Sequence, residues 1–406
     1  MSFTKKIIVS MILGILVGVA FNLTSLIEST SGTYIINLFD LVSYLFLSSL
    51  KLIIVPLIFF SIVCGIVSLS DDVSISRLGI KTLLLYTITT VIAISLGLLF
   101  SSFMNYGPIE MKSLDNVVNI ENIETDGDIF PNNIFKSLSD GNIIHLLIFA
   151  VLIGISAARI KNKIKTFIQY FFDFNDVINE LVKLVISFTP LAVFCILAKT
   201  FSTQGVETII SLAGYFFTVV FVLIFHFLFS FSILIKSFTA LDPIKFFQNL
   251  KDVVIFTFST SSSSASIPFT LKAAEEKYGI DKSISTFTVP LGATINMDGT
   301  AIMQGCATFF LASLYGIDLG INEILTIVIT ATIASVGTAG IPSAGIIMLT
   351  VIFTQIGIPL EGITLLLGVD RLLDMMRTSV NVSGDLCISC VIASSENKIN
   401  EKVFNS

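Results

Sequence analysis

Apolar runs of membrane-spanning length follow one another along this chain, and any fold must accommodate them. A helix needs about 20 predominantly apolar residues to cross a bilayer core, and the segments 7–26, 36–69, 80–104, 141–158, 178–201 and 206–236 meet that requirement. The second is long enough to be steeply tilted. Of the 406 residues, 54% are hydrophobic and 13% charged, at a mean hydropathy of +0.94. Water-soluble domains carry about a quarter charged residues. No Pro-rich, Gly/Ser-rich or charged linker divides the sequence, so it reads as one integral, all-α polytopic membrane unit over 1–406. Residues 7–21 are followed by no small-residue cleavage site and read as a first spanning helix rather than a signal peptide.

The loops set an orientation. Lys5 and Lys6, Arg77 and Lys81, the cluster Arg159, Lys161, Lys163 and Lys165, and Lys236, Lys245 and Lys251 fall on one side, which the positive-inside rule makes cytoplasmic. Glu110, Asp115, Glu121, Glu124, Asp126 and Asp128 have only Lys112 nearby, so their loop belongs outside. The expected location is the inner (plasma) membrane, with both termini cytoplasmic. The net charge of −6 owes much to that loop, and no basic stripe of the kind a nucleic acid requires is present.

Five cysteines, Cys64, Cys195, Cys306, Cys387 and Cys390, lie scattered in apolar segments. Cys387 and Cys390 make a C-x-x-C without the second pair a zinc site needs, so packing is the better reading. His145 and His226 also sit in apolar surroundings and read as packing or helix hydrogen-bonding residues. With no Ser/His pair or zinc motif apparent, a membrane-embedded hydrolase is disfavoured and the chain reads as no enzyme.

After Ser237 the apolar segments become interrupted. Residues 244–275 are apolar on both sides of a serine-rich tip at 259–266, and 322–360 repeat that design around a Gly/Ser/Thr-rich tip at 334–345. Both read as re-entrant hairpins, entering from opposite sides. Between them, a helix near 284–314 is interrupted at Asn296, Met297, Asp298, Gly299 and Thr300, and a last amphipathic span covers 361–393. Lipid satisfies no backbone amide, so irregular backbone at membrane depth must be buried in protein or line an aqueous cavity. Two broken hairpins and an interrupted helix therefore imply a shared site. Hairpin then helix, twice over, fits the inverted repeats of secondary transporters, in which half-helix N-termini face anions and freed carbonyls hold cations.

In the last span Asp370, Asp374, Arg377, Asn381 and Asp385 fall within an arc of about 80°, with Thr378 at its edge. Each charge at a helix centre costs about 2.5–3.5 kcal/mol on insertion scales, so the stripe faces polar groups, water or a ligand. A structural salt bridge of Arg377 with an aspartate is the plainer alternative. Three carboxylates against that one cation of the stripe leave negative charge for a bound cation to neutralise. The Asn296 to Thr300 cluster breaks the helix by local hydrogen bonding and by Gly299, and offers carbonyl and carboxylate oxygens of the kind hard cations prefer. Sodium suits few carboxylates, although spacing alone leaves calcium, or a mere kink, open.

The Asn296 to Thr300 cluster, the serine-rich tip, residues 335–345 and the stripe from Asp370 to Asp385 together resemble the dicarboxylate/amino acid:cation symporters, the glutamate transporter homologues. The resemblance covers nearly the whole chain. It implies eight spanning helices and two re-entrant hairpins, a homotrimer, and an elevator. In it a scaffold of 7–69 and 141–201 holds a moving part made of 80–104 and 206–393, with the second hairpin as the extracellular gate. It further implies that Arg377 grips a side-chain carboxylate and Asp374 the amino group of an acidic amino acid such as glutamate or aspartate. Thr300, Thr378 and Asn381, with Ser261, Ser263, Ile341 and Gly345, complete that pocket. Three sodium sites are implied: Gly292, Asn296, Asn381 and Asp385; Thr294, Ser335, Val336 and Thr338; and Tyr86, Thr89, Thr90, Asn296 and Asp298.

The chain departs from family patterns where some prokaryotic members carry an arginine before the hairpin serines and animal members one after the motif aspartate. Here Ser261 and Met375 stand there, and Arg371 is the other cation of the last span. Gln304 replaces the glutamate of proton-coupled animal members, which favours sodium as the coupling ion, with protons still possible. The runner-up readings are a proton-coupled symporter, a C4-dicarboxylate carrier, which Asp374 argues against, or a cystine carrier. A chloride-permeable channel function could accompany transport.

Overall fold

The computed structural model describes residues 3–24, 30–68, 73–104, 106, 133–139, 143–204, 206–336 and 344–405. These residues are nearly all helical and contain no strand; an isolated bridge joins Ile280 to Ile399. The first half comprises α1 (Phe3–Leu23), α2 (Thr30–Ser68), α3 (Val73–Ser102), the short α4 (Ile134–Ser139), α5 (Ile143–Arg159), α6 (Lys165–Ser187) and α7 (Thr189–Gln204). The acidic loop expected outside lies beyond the described residues. The expected span 178–201 is corrected: it is not one rod, because Lys165–Val185 and Thr189–Lys199 meet at 48°. Pro190 stands one residue into α7, and the clash of its ring with the preceding backbone disfavours a continuous helix.

A comparable adjustment occurs in 206–236, where α8 (Val206–Phe225) passes through a π-helical turn at His226–Ser230 into α9 (Phe231–Phe238). The extra residue of a π turn rotates the helix beyond it and often marks a functional position. By length and composition, two helical stretches among the described residues, Arg77–Ser102 and Ile210–Phe238, are each long and apolar enough to cross a bilayer. The bent pair at Thr189 makes a third if counted as one broken span.

The second half is built from paired shorter helices. Helix α10 (Pro243–Thr260) starts with Asp242 accepting from the Ile244 N–H at 3.0 Å, beside Pro243, whose missing N–H costs nothing in a first turn. It ends at Ser261, which is left-handed at φ 52°. Ser262 then caps α11 (Ser263–Glu276) by accepting from the Ala265 N–H at 3.2 Å. The expected eight-residue interruption is thus a two-residue turn, because the serines supply their own helix cap. Near the base, Asn249 donates to the Lys277 carbonyl and to that of Phe404 in α17 (Glu401–Phe404), both at 3.1 Å, while Tyr278 donates to the Phe246 carbonyl at 2.9 Å. The helices α12 (Lys282–Ile295) and α13 (Asp298–Leu314) come next, then α14 (Ile321–Val336), α15 (Ala344–Ile356) and α16 (Ile363–Ser395). Helices α14 and α15 pack together, and Thr330 donates to Gln355 Oε1 at 2.5 Å. The tip between them, 337–343, lies outside the described residues.

Glycines set the closest helix contacts, as expected where small residues let backbones approach within a membrane. Gly14 and Gly18 place α1 on α7 so tightly that a Cβ on either would lie 2.7 Å from a carbonyl oxygen, of Phe194 or Ala198. Gly97 seats α3 on α13, where a Cβ would lie 2.6 Å from the Ile302 carbonyl. Helix α16 packs against α8 to α13, and so forms the spine of the second half. We expect Gly97→Ala to lower the melting temperature of the purified protein through overpacking, which costs about 1–3 kcal/mol. Gly79→Ala, whose Cβ would meet only Phe287 at 3.5 Å, should hold or raise it, because a helical Gly to Ala change is intrinsically favourable. Equal behaviour of the two variants would remove the contact from the fold's determinants.

Candidate substrate and cation site

The α16 stripe is buried throughout. Asp370, Asp374, Arg377, Thr378, Asn381 and Asp385 are each less than a tenth exposed, and Arg377 is 1% exposed. Arg377 Nη2 bonds Asp370 Oδ1 at 2.7 Å and Asp374 Oδ1 at 2.8 Å, one turn or two away on the same face. Its Nε and Nη1 are buried without a hydrogen-bond partner. Leaving charged donors unmet is costly, so two donor nitrogens await an acceptor. Nη1 points at the start of α15, where a Cβ on Gly345 would lie 3.1 Å from it and 2.7 Å from Thr300 Cγ2. The absent side chain at Gly345 therefore leaves the guanidinium its working room.

Beside this stripe the α12 to α13 break is two residues long, not five. Asn296 and Met297 are non-helical, and Asp298, Gly299 and Thr300 already form the first turn of α13. The difference has a local cause. The Gly299 N–H donates to Asn381 Oδ1 at 2.7 Å, and a Cβ on Gly299 would lie 2.6 Å from the Arg377 carbonyl. Glycine thus docks the new helix start on α16 at once. Asn296 donates through Nδ2 to Asp385 Oδ1 at 2.8 Å and to the Asn381 carbonyl at 2.9 Å, which leaves Asn296 Oδ1 buried without a hydrogen-bond partner. A Cβ on Gly292 would lie 2.3 Å from Asp385 Oδ1 and 2.6 Å from the Tyr86 hydroxyl. Gly292, Tyr86, Asn296 and Asp385 are accordingly in one cluster, rich in oxygen and holding an unmet acceptor.

Asp298, fully buried, accepts at Oδ1 from Thr89 at 3.1 Å and Thr90 at 3.0 Å. At Oδ2 it meets His226 Nε2, 3.2 Å away. Tyr86 donates to the Thr288 carbonyl at 3.0 Å. The Tyr86, Thr89, Thr90, Asn296 and Asp298 set is therefore drawn from α3 and the α12 to α13 break. Thr294 and Ser335, by contrast, bond their own helices, to the carbonyls of Leu291 and Thr332 at 2.9 Å and 2.8 Å, on helices α12 and α14 that touch. Val336 ends α14, and Thr338 lies outside the described residues, as does Ile341. In the substrate set, Thr378 donates to the Asp374 carbonyl at 2.8 Å. Ser261 and Ser263 are buried at the α10 to α11 turn, whose helices both lie on α16, and Ser261 Oγ has no hydrogen-bond partner.

Three buried residues near these groups were not in the expected set. His226 opens the π turn. Gln304, fully buried, has no hydrogen-bond partner for either amide atom. Tyr215, 1% exposed, stacks on Phe310 and lies within electrostatic reach of Arg377 and Asp370. His226 stands in an unbroken apolar run far from Asp298 in sequence, so neither spacing nor periodicity marks it.

The chain belongs to the sodium:dicarboxylate symporter family, whose model matches residues 3–395. A proton/sodium-glutamate symport protein of Bacillus caldotenax is 32% identical over 412 residues, covering 98% of this chain and 95% of that protein. The proton/glutamate-aspartate symporter of Escherichia coli (strain K12) is 30% identical over 99% of this chain and 94% of its own length. Excitatory amino acid transporter 3 of Mus musculus is 30% identical, covering 93% and 82%.

Loss of the His226 donor should be felt at Asp298. His226→Leu leaves Oδ2 without its ring partner, at a cost of about 1–3 kcal/mol, whereas His226→Gln keeps an N–H donor. Melting temperatures in sodium-free buffer should fall for the Leu variant and fall less for the Gln variant. A Leu variant as stable as the parent would show that the bond carries no weight.

Proposed function

We propose that this chain is a secondary active transporter that imports acidic amino acids, glutamate or aspartate, by sodium symport across the plasma membrane. The observation that carries the proposal is Arg377, whose Nη2 is spent on Asp370 and Asp374 while Nε and Nη1 face no partner in a buried site. A guanidinium so placed suits a carboxylate ligand, which meets the open donors with charge-assisted bonds that lysine cannot reproduce. Asp374 is then the group for the ligand's ammonium. Thr300, Thr378 and Asn381, with Ser261, Ser263 and Gly345, line the remainder, and Ile341, outside the described residues, is assigned to the same set. The names of the relatives, which include glutamate and aspartate symporters, point to the same substrate class.

Sodium enters as cargo. The cluster of Gly292, Asn296, Asn381 and Asp385 offers oxygens of the kind sodium takes, among them the unmet Asn296 Oδ1. Tyr86, Thr89, Thr90, Asn296 and Asp298 offer a second such set, and Thr294, Ser335, Val336 and Thr338 a third. A cation in either of the first two sets lowers the cost of keeping Asp385 or Asp298 ionised without water, so ion and substrate binding reinforce each other. The moving body we assign is 80–104 with 206–393, against a scaffold of 7–69 and 141–201, in a homotrimer of eight spans and two re-entrant hairpins per protomer. The hairpin of α14 and α15 serves as the outer gate. The names of two relatives pair proton with sodium or give proton alone, which makes proton coupling the second reading. Gln304, which does not titrate, favours sodium.

Two measurements test this. In proteoliposomes, aspartate uptake should require an inward sodium gradient, persist when the pH gradient is collapsed, and be abolished by Asp385→Asn. Uptake driven by a proton gradient alone, without sodium, would overturn the ion assignment and leave the substrate assignment standing. Arg377→Cys should cost about 2–5 kcal/mol of aspartate affinity, the usual loss on truncating one partner of a buried charge pair. Unchanged affinity would remove Arg377 from the site.

A further inference from the structure

Arg371 stands about 60° round the helix from Asp374, beside the stripe rather than within it. It is nevertheless 8% exposed, and its Nη1 lies 3.4 Å from Asp374 Oδ2. Arg377 Nη2 lies 2.8 Å from the other oxygen, Oδ1. The two oxygens of one buried carboxylate thus face two different guanidiniums, one of which also holds Asp370. Within two turns, Asp370, Arg371, Asp374 and Arg377 sum to zero formal charge. Burying a second arginine here is costly unless it is paired, and one partner it takes is the carboxylate to which the proposed function gives the substrate ammonium.

We infer that Arg371 is a specificity-determining residue of the substrate site. It contests Asp374 Oδ2 with the ammonium group of a ligand, and so sets how strongly an amino-dicarboxylate is preferred over a dicarboxylate without the amino group. The inference rests on the reading that Asp374 receives the ammonium. The sign follows from charge alone. With Arg371 in place, a ligand ammonium meets a carboxylate already shared by two cations, while ligand carboxylates enter a site with an added positive charge. Removal of Arg371 takes the quartet to −1. Aspartate then loses attraction for its carboxylates but gains it for its ammonium, whereas succinate only loses.

The test is equilibrium binding of radiolabelled aspartate to the purified full-length protein in sodium buffer, with displacement by succinate. For Arg371→Met, the ratio of succinate to aspartate dissociation constants should rise tenfold or more, and for Arg371→Lys, which keeps the charge, it should stay within threefold. Arg371→Gln, smaller in its disturbance of packing, should behave as the Met variant, so a Met variant that fails to fold leaves the inference exposed to refutation. A ratio that stays within twofold of the parent in a folded neutral variant would overturn the role of Arg371. Asp374→Asn separates the two claims. If it collapses the preference for aspartate while neutral Arg371 variants change nothing, the ammonium reading stands and the Arg371 inference falls. If it weakens both ligands equally, the ammonium reading itself fails.

Discussion

Charge buried inside an almost wholly apolar helical body has to be answered within hydrogen-bonding distance, and the second half of this protein is organised by that demand. Four carboxylates, Asp298, Asp370, Asp374 and Asp385, are at most 6% exposed. Their partners come from several elements: Arg377 within α16, Thr89 and Thr90 from α3, His226 from the π turn, and Asn296 from the helix break. These bonds tie α3 and the π turn to the start of α13, and the α12 to α13 break to the α16 spine. The broken backbone is tolerated for the same reason. The Gly299 N–H at the new helix start bonds the Asn381 side chain of α16.

The groups those contacts leave unsatisfied are as informative as the bonds they make. Arg377 retains unmet donors and Asn296 an unmet acceptor, and such groups are among the costliest to hold in a desolvated interior. An anion and a cation bound side by side would complete both. In the site we propose for this member of the sodium:dicarboxylate symporter family, these unmet groups share one chemical purpose, and close glycine contacts such as Gly345 at Arg377 and Gly292 at Asp385 leave the space.

Much of this is legible in the chain itself. The stripe from Asp370 to Asp385 stands out because its helical period sets charges in an arc no lipid-facing helix would tolerate, and the break at Asn296 because asparagine, aspartate and glycine compete with the helix where an apolar span should continue. The extent of that break is not legible, since resumption at Asp298 depends on Asn381 receiving the Gly299 N–H from another helix. The division of 178–201 escapes a reading of periodicity because apolar content outweighs the Thr189 and Pro190 stop signal. Thr89 and Thr90 look like ordinary packing until the family resemblance points to them. His226 has no local signal at all: its meaning comes from a carboxylate 72 residues away. Periodicity reports which face of a helix is buried, not which partner folds against it.

If the buried carboxylates and the open guanidinium form one coupled site for a cation and an acidic ligand, neither ligand can bind independently of the other. Aspartate affinity of the purified protein, measured against sodium concentration at fixed pH and ionic strength, addresses that coupling most directly. We expect an affinity that climbs steeply with sodium, and a climb that flattens in Asp385→Asn. An affinity indifferent to sodium in the parent protein would contradict the coupled site.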